Sequence, residues 1–148
     1  MTVTQTLNPQ ILGQAEKAHA ALLGRILEGT PNTYHHWVAF NIIVAGDGRI
    51  DTDAFVERMT GGLKVDDAAA RAVIDELAEG HMIETTSSDA AVLELTDDGR
   101  ETYRWIRQAV DETIRSLYAD ISADDLATAG RVLALITARA NAELAGGS

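Results

Sequence analysis

Two short stretches of this sequence, one soon after the other, have the pattern of a β-hairpin, and they directly follow a pair of short helical segments. The strand-like runs are Met82 to Thr86 and Ala91 to Leu95, joined by the polar tetrapeptide Ser87-Ser88-Asp89-Ala90, which is typical of a hairpin. The helical pair begins at Asp51 or Thr52, and its second member extends from Asp66 to Glu79. The order therefore predicts a helix, a short turn, a helix and a hairpin.

Two further helical segments precede this pair. Asn8-Pro9 predicts the start of helix 1, because Asn caps helices and Pro is tolerated at the first helical position; the helix should end near Glu28. Thr33 is placed to cap helix 2, which continues to Ala45. Since helix 2 is apolar nearly all round, we expect it to be the central helix of the core.

The remaining boundaries are set by glycines and by capping residues. Ile50 is placed for a short strand, and Gly61-Gly62 is expected to end helix 3. Thr96-Asp97-Asp98-Gly99 predicts the start of a long helix 5, and Ser122 is placed to cap helix 6, which should fray from Ala145 to Ser148. The predicted fold class is mainly α with a small β-hairpin.

Length and composition exclude several classes of protein. The 148 residues include no cysteine, so neither a disulfide framework nor a cysteine-zinc scaffold can form. No apolar run approaches the roughly 20 residues of a membrane span, and the first residues lack the basic and apolar segments of a signal peptide. We expect one domain, residues 1–148, in a soluble cytoplasmic protein.

A helix-turn-helix followed by a hairpin is the winged-helix arrangement. Three motifs narrow the resemblance further: Ala78 to Glu84, Leu95-Thr96-Asp97-Asp98-Gly99-Arg100, and Ser122 to Leu126 continuing to Val132-Leu133. Together they resemble motifs of the MarR family of bacterial regulators. The first is similar to that family's passage from the recognition helix into the wing, the second to its entry into helix 5, and the third to the start of its final helix.

The resemblance implies a homodimeric transcriptional regulator that binds operator DNA and is modulated by a small molecule. In this division, residues 33–98 form the winged-helix lobe, and residues 8–28 and 99–145 form dimerisation helices. Apolar stripes on helices 1, 5 and 6 fit that expectation, because they are wider than one small lobe can cover. A monomeric helical bundle is the alternative interpretation.

The charge distribution opposes the DNA-binding part of this interpretation. The chain has a net charge of −11, and residues 33–98 contribute −10 of it, from four basic and fourteen acidic residues. Phosphate neutralisation by Lys and Arg supplies most non-specific affinity for DNA. The candidate DNA-binding residues are the lobe's basic residues and two wing-tip serines: Lys64, Arg71, Arg49, Arg58, Ser87 and Ser88. The alternative is a winged-helix dimer that has lost DNA binding and serves as a ligand- or protein-binding module.

Acidic residues surround the single arginine of the candidate recognition helix. Arg71 lies four residues from both Asp67 and Asp75, a spacing that permits surface ion pairs in place of base contacts. Asp66 and Asp67 at the first turn complement the helix dipole, although carboxylates there would repel a DNA backbone.

A cluster of aromatic and polar residues at the start of helix 2 corresponds to the family's effector pocket. The resemblance places a small ligand, such as an aromatic compound, between helices 1, 2 and 5. Its candidate contacts are Tyr34, His36, Trp37, Phe40 and Trp105. Trp37 and Phe40 are equally well explained as core residues.

No pattern in the sequence points to catalysis, a cofactor or a metal. The four histidines form no HxxxH or HxxE pair on one helical face. The sequence has no glycine-rich phosphate loop after a strand and no arrangement suggesting a Ser-His-Asp triad. Carboxylate pairs such as Asp97-Asp98 and Asp124-Asp125 lie at helix starts, where capping accounts for them.

Overall fold

The computed structural model describes residues 5–86 and 91–147, with the backbone alone at Thr86. The described part contains six helices and a three-stranded sheet, which confirms a mainly helical protein with a small β-hairpin. The helices and strands, in chain order, are α1 (Pro9–Leu27), α2 (Tyr34–Ala45), β1 (Arg49–Asp51), α3 (Thr52–Leu63), α4 (Asp67–Glu79), β2 (Ile83–Thr86), β3 (Val92–Leu95), α5 (Asp97–Tyr118) and α6 (Ala123–Gly146).

Side chains cap α1, α4 and α6 where the sequence predicts, whereas the cap expected from Asp51 or Thr52 at α3 is not formed: Asp51 makes no capping hydrogen bond and the Thr52 hydroxyl donates to the Ala91 carbonyl. Asn8 Oδ1 accepts a hydrogen bond from the Ile11 N–H at 2.9 Å, and the Ser122 hydroxyl accepts one from the Asp125 N–H at 3.1 Å. At the start of α4, the Asp66 carboxylate accepts the Ala69 N–H at 2.8 Å. Each cap satisfies one of the amide donors that the first turn of a helix leaves without a backbone partner.

The end of α3 differs from the prediction. The helix continues through Gly61-Gly62 to Leu63, and Lys64 then takes a left-handed conformation with φ 58°. A glycine within a helix is tolerated at about 1 kcal/mol relative to alanine, so the glycine pair does not have to end it. The left-handed residue turns the chain, and Lys64 Nζ donates to the Gly61 carbonyl at 2.6 Å.

The sheet consists of the predicted hairpin and the short strand expected at Ile50. Its order is β1-β3-β2, with both neighbouring pairs antiparallel. Ile50 is paired with Leu93, and Ile83 with Leu95. Strand β3 therefore lies in the middle of the sheet, between β1, which follows α2, and β2, which follows α4.

The core lies around α2, as its apolar sequence predicts. Ala39, Phe40 and Ile43 are fully buried in this helix, and Phe55 and Met59 are fully buried in α3. Ile106 of α5 is also fully buried. Burial of such side chains contributes about 1.5–3 kcal/mol each relative to exposure, so α2 organises the packing of the helices around it.

The chain divides into two compact units, Met1–Val110 and Asp111–Ser148. The second unit contains the end of α5 and all of α6. No residue of α6 is buried, and its Leu135, Ile136 and Leu144 are 49%, 40% and 67% exposed. Helix α6 extends to Gly146, two residues into the segment expected to fray. Among the described residues, no helix has the length and apolar content needed to cross a membrane.

Candidate functional site

The helix-turn-helix consists of α3 and α4, joined by the three residues from Lys64 to Asp66. Helix α4 buries Ala70, Val73 and Leu77 against the core, the face that its apolar spacing predicts. Its exposed side chains are mostly acidic or small: Asp67, Ala68, Arg71, Ala72, Asp75, Glu76, Ala78 and Glu79. The face offered to solvent therefore carries one arginine and several carboxylates.

Arg71 does not form the surface ion pairs that its spacing permits. Within the described part of the chain, its guanidinium has no hydrogen bond and no carboxylate within 4.0 Å, neither from Asp67 nor from Asp75. The arginine is exposed on the outer face of α4. It is therefore available to an external anion such as a phosphate.

The other candidate DNA-binding residues occupy different places. Lys64 is exposed at the end of α3, and Arg49 lies on the edge strand β1, in register with Glu94 of β3. Arg58 lies on α3 beside a groove that α1 and α2 also line. Ser87 and Ser88 fall outside the described residues. The structure thus places Arg71 on α4, Lys64 in the turn between α3 and α4, and Arg58 on α3 beside the groove.

The groove between α1, α2 and α3 has a volume of about 610 Å³. Tyr34, Trp37 and Asn41 contribute from α2, His19 from α1 and Arg58 from α3. Aliphatic side chains make up most of the remaining wall. Such an apolar groove with a few polar groups is the usual form of a small-molecule site, and Arg58 supplies a cation to it.

Two of the five expected ligand contacts, Tyr34 and Trp37, line this groove. Phe40 is fully buried in the core and does not line the groove. Trp105 of α5 is 53% exposed and lies beside Gly29 after the end of α1. The groove is thus formed by α1, α2 and α3, whereas the expected pocket includes helix 5.

Helix α5 meets α2 at a different point, through stacked aromatic rings. The rings of Trp37 and Tyr103 have centroids 5.4 Å apart and planes inclined by 18°. This packing holds one face of Trp37 against the core, while the residue also lines the groove. The sequence places Tyr103 on an apolar stripe of helix 5 with Ile106 and Val110, but helical spacing does not indicate which residue of another helix it contacts.

His36, the fifth expected contact, is a buried structural residue. Its backbone N–H donates to the Thr33 hydroxyl at 3.3 Å, and its Nδ1 accepts the Thr33 N–H at 3.2 Å. These two bonds are a capping box in which histidine replaces the usual glutamate. Its Nε2 lies 2.7 Å from Glu76 Oε1 on α4.

A second cleft, of about 340 Å³, lies where the turn after α2 meets the start of α5. Arg100, Arg104 and Asp47 line it, and the Arg100 guanidinium lies across Gly48. Gly48 has a φ of 92°, so it is both the residue that tolerates this backbone and the one that leaves room for the guanidinium. No local pattern in the sequence indicates this cleft, because its residues come from two distant segments.

No three His, Asp or Glu side chains come together as a metal site in residues 5–86 and 91–147. His36 is engaged in the capping box and with Glu76, and His81 takes a left-handed conformation, φ 61°, between α4 and β2.

Solved structures similar to this chain cover most of its length. One is a cysteine-to-serine mutant of MarR from E. coli complexed with operator DNA, with 18% identity, a TM-score of 0.71, and coverage of 86% of this chain and 91% of that chain. Another is an organohalide-sensing transcriptional regulator in its ligand-free form, with 10% identity, a TM-score of 0.75, and coverage of 93% and 88%. The chain has the MarR fold.

A MarR protein from Peptoclostridium difficile is also similar, with 17% identity, a TM-score of 0.74, and coverage of 97% of this chain and 95% of that chain. No protein-family model matches the sequence, and no curated protein matches it. At identities this low the likeness to MarR structures shows the fold. Activity has to be argued from the side chains.

Proposed function

We propose that this protein is a homodimeric transcriptional regulator of the MarR type that binds double-stranded DNA through α4 and is modulated by a small ligand. The observation that carries the proposal is Arg71, which is exposed and has no ion pair among the described residues, on the outer face of a helix-turn-helix whose fold matches a regulator solved with operator DNA. The role is non-enzymatic and cytoplasmic, since the similar structures named above are transcriptional regulators.

Exposed apolar side chains on three helices support the homodimer. Leu12 of α1 is 38% exposed, and Ile114 and Leu117 of α5 are 38% and 44% exposed. Helix α6 adds Leu135 and Leu144, which are 49% and 67% exposed. Residues 8–28 and 99–145 are the segments proposed to pack against a second copy, because that contact removes these side chains from water.

The acidity of the lobe favours a second candidate, a winged-helix dimer without DNA binding that acts as a ligand- or protein-binding module. Residues 33–98 carry a net charge of −10, and the exposed face of α4 follows the same balance. Such a surface lowers the local concentration of a polyanion. The two candidates differ in one measurable property, the affinity for duplex DNA at low salt.

Removing Arg71 and Lys64, the cations of α4 and of the turn before it, should weaken DNA binding. We expect Arg71→Ala combined with Lys64→Asn to raise the Kd for duplex DNA at least about tenfold, and each lost phosphate contact should lower the salt slope by about 0.9. Asparagine is chosen at position 64 because it tolerates the left-handed backbone. Fluorescence anisotropy with a labelled duplex from the region upstream of the gene measures both quantities.

The matched control is Lys17→Asn with Arg25→Ala, which removes the same charge from α1. If the control weakens binding as much as the test variant, the DNA site lies outside α4. If the wild-type protein binds neither the upstream duplex nor an unrelated one at about 50 mM salt, the DNA-binding function is wrong. The second candidate, a ligand- or protein-binding module, is then favoured.

The groove is proposed as the effector site, with Arg58 facing an anionic group and Tyr34 and Trp37 contacting a ring. With 1-naphthoate as the probe, Arg58→Ala should weaken binding about tenfold, because charge-assisted hydrogen bonds contribute about 1.5–3 kcal/mol. Quenching of tryptophan fluorescence reports occupancy beside Trp37. Arg71→Ala removes the same charge away from the groove and should leave the probe's Kd unchanged; equal losses in both variants would indicate a general charge effect only.

A further inference from the structure

A side-chain hydrogen bond joins the first turn of α2 to α4. His36 Nε2 and Glu76 Oε1 lie 2.7 Å apart although the residues are forty positions apart in the sequence. The His36 side chain is only 9% exposed, whereas the Glu76 side chain is 56% exposed. The bond therefore extends from a buried ring at the start of α2 to the open edge of α4.

The direction of this bond follows from the capping box. Because Nδ1 accepts the Thr33 N–H, the proton of the neutral imidazole is assigned to Nε2, which donates to the Glu76 carboxylate. The ring is thus held from both sides. Thr33 fixes it to the first turn of α2, and Glu76 fixes it to α4.

The same turn of α2 forms part of the groove. Tyr34 and Trp37, on either side of His36, both line it. No other side-chain hydrogen bond or ion pair links α2 to α4 in the part of the chain that the structure describes. Anything that displaces this turn must either carry Glu76 with it or break the bond.

We propose that the His36–Glu76 bond transmits occupancy of the groove to the recognition helix, with both side chains acting as positioning residues. This inference rests on the proposed function, in which the groove holds the effector and α4 meets DNA. An occupant changes the equilibrium of α4 only if it binds two positions of the α2 turn with different affinity. Because the bond joins the α2 turn to Glu76, each of those two positions of the turn corresponds to a different position of α4.

The test fills the groove from its opposite wall and follows α4. Ala20 lines the groove on α1, so Ala20→Phe places a ring inside it, and Ala20→Leu is a smaller filler that guards against misfolding. Hydrogen exchange of the α4 amides is measured with and without each filler in the wild type, in Glu76→Ala and in Glu79→Ala. Glu79→Ala is the matched control, because Glu79 is an exposed glutamate on the same helix with no described partner.

Filling the groove should change α4 exchange at least about threefold in the wild type and in Glu79→Ala, and by less than about 1.5-fold in Glu76→Ala. Glu76→Gln, which keeps an oxygen that accepts from Nε2, should restore the response. A merely structural role of Glu76 would speed exchange in Glu76→Ala but would leave the response to the filler intact.

Two outcomes overturn the proposal: an equal response to the filler in the wild type and in Glu76→Ala, and no response to either filler in the wild type. Operator affinity is measured on the same variants. If none of them binds DNA, the proposed function fails, while the exchange cycle still decides whether the groove and α4 are coupled.

Discussion

Replacing Phe40 by alanine is expected to lower the free energy of unfolding by about 3–5 kcal/mol. The side chain is fully buried in the middle of α2, and its ring lies 6.5 Å, centroid to centroid, from that of Tyr103. Its removal leaves a cavity that the surrounding helices can fill only in part. Urea denaturation followed by circular dichroism measures the change.

Tyr34→Ala is the comparison for Phe40→Ala. Tyr34 is 45% exposed and lines the groove, so its loss should cost less than about 1 kcal/mol in stability while weakening binding of the naphthoate probe. The opposite pattern would be a stable Phe40→Ala protein that no longer binds the probe. That result would indicate that Phe40 contacts the ligand and would contradict its assignment to the core.

A methyl group at position 99 should be nearly as damaging. A Cβ built on Gly99 overlaps the carbonyl oxygen of Met82, and that oxygen accepts hydrogen bonds from the Thr96 N–H at 3.0 Å and the Thr96 hydroxyl at 3.1 Å. Because the clash is with backbone, no side chain can turn away to relieve it. Gly99→Ala should lower the free energy of unfolding by about 3 kcal/mol.

Gly61→Ala provides the matched control for Gly99→Ala. Gly61 lies inside α3, and a Cβ there meets no atom within 4 Å. Alanine should therefore stabilise the protein by about 0.4–1 kcal/mol, since it has the higher helix propensity and restricts the unfolded chain. If both alanine variants were equally destabilised, the close approach of Gly99 to Met82 would not be the cause.

The elements of this fold could be predicted from the sequence because their signals are local. Asn8, Thr33, Asp66 and Ser122 each cap the helix that follows them, and a cap depends on its own next few residues. The apolar character of α2 likewise predicts its central position. Gly61-Gly62 predicts a helix end because glycine disfavours helix, but α3 continues through the pair to Leu63, which packs against the core.

The candidate site was less predictable because it depends on contacts between distant segments. Helical spacing tells which residues share a face, but it does not tell which element that face meets. Arg58 could be counted as a basic residue of the lobe, yet its place beside α1 and α2 required the tertiary structure. The contact between His36 and Glu76 could not be predicted either, because the sequence around each residue gives no indication of the other.

The cap on α4 has a consequence for any nucleic acid that approaches it. The first amides of a helix form a natural binding place for phosphate, but at α4 the Ala69 amide already binds the carboxylate of Asp66. At the end of α4 that is proposed to face DNA, the Asp66 carboxylate thus binds an amide that a phosphate could otherwise bind. A duplex would have to compete with this built-in anion. Recognition would then depend on how well the DNA fits around Asp66, rather than on charge attraction alone.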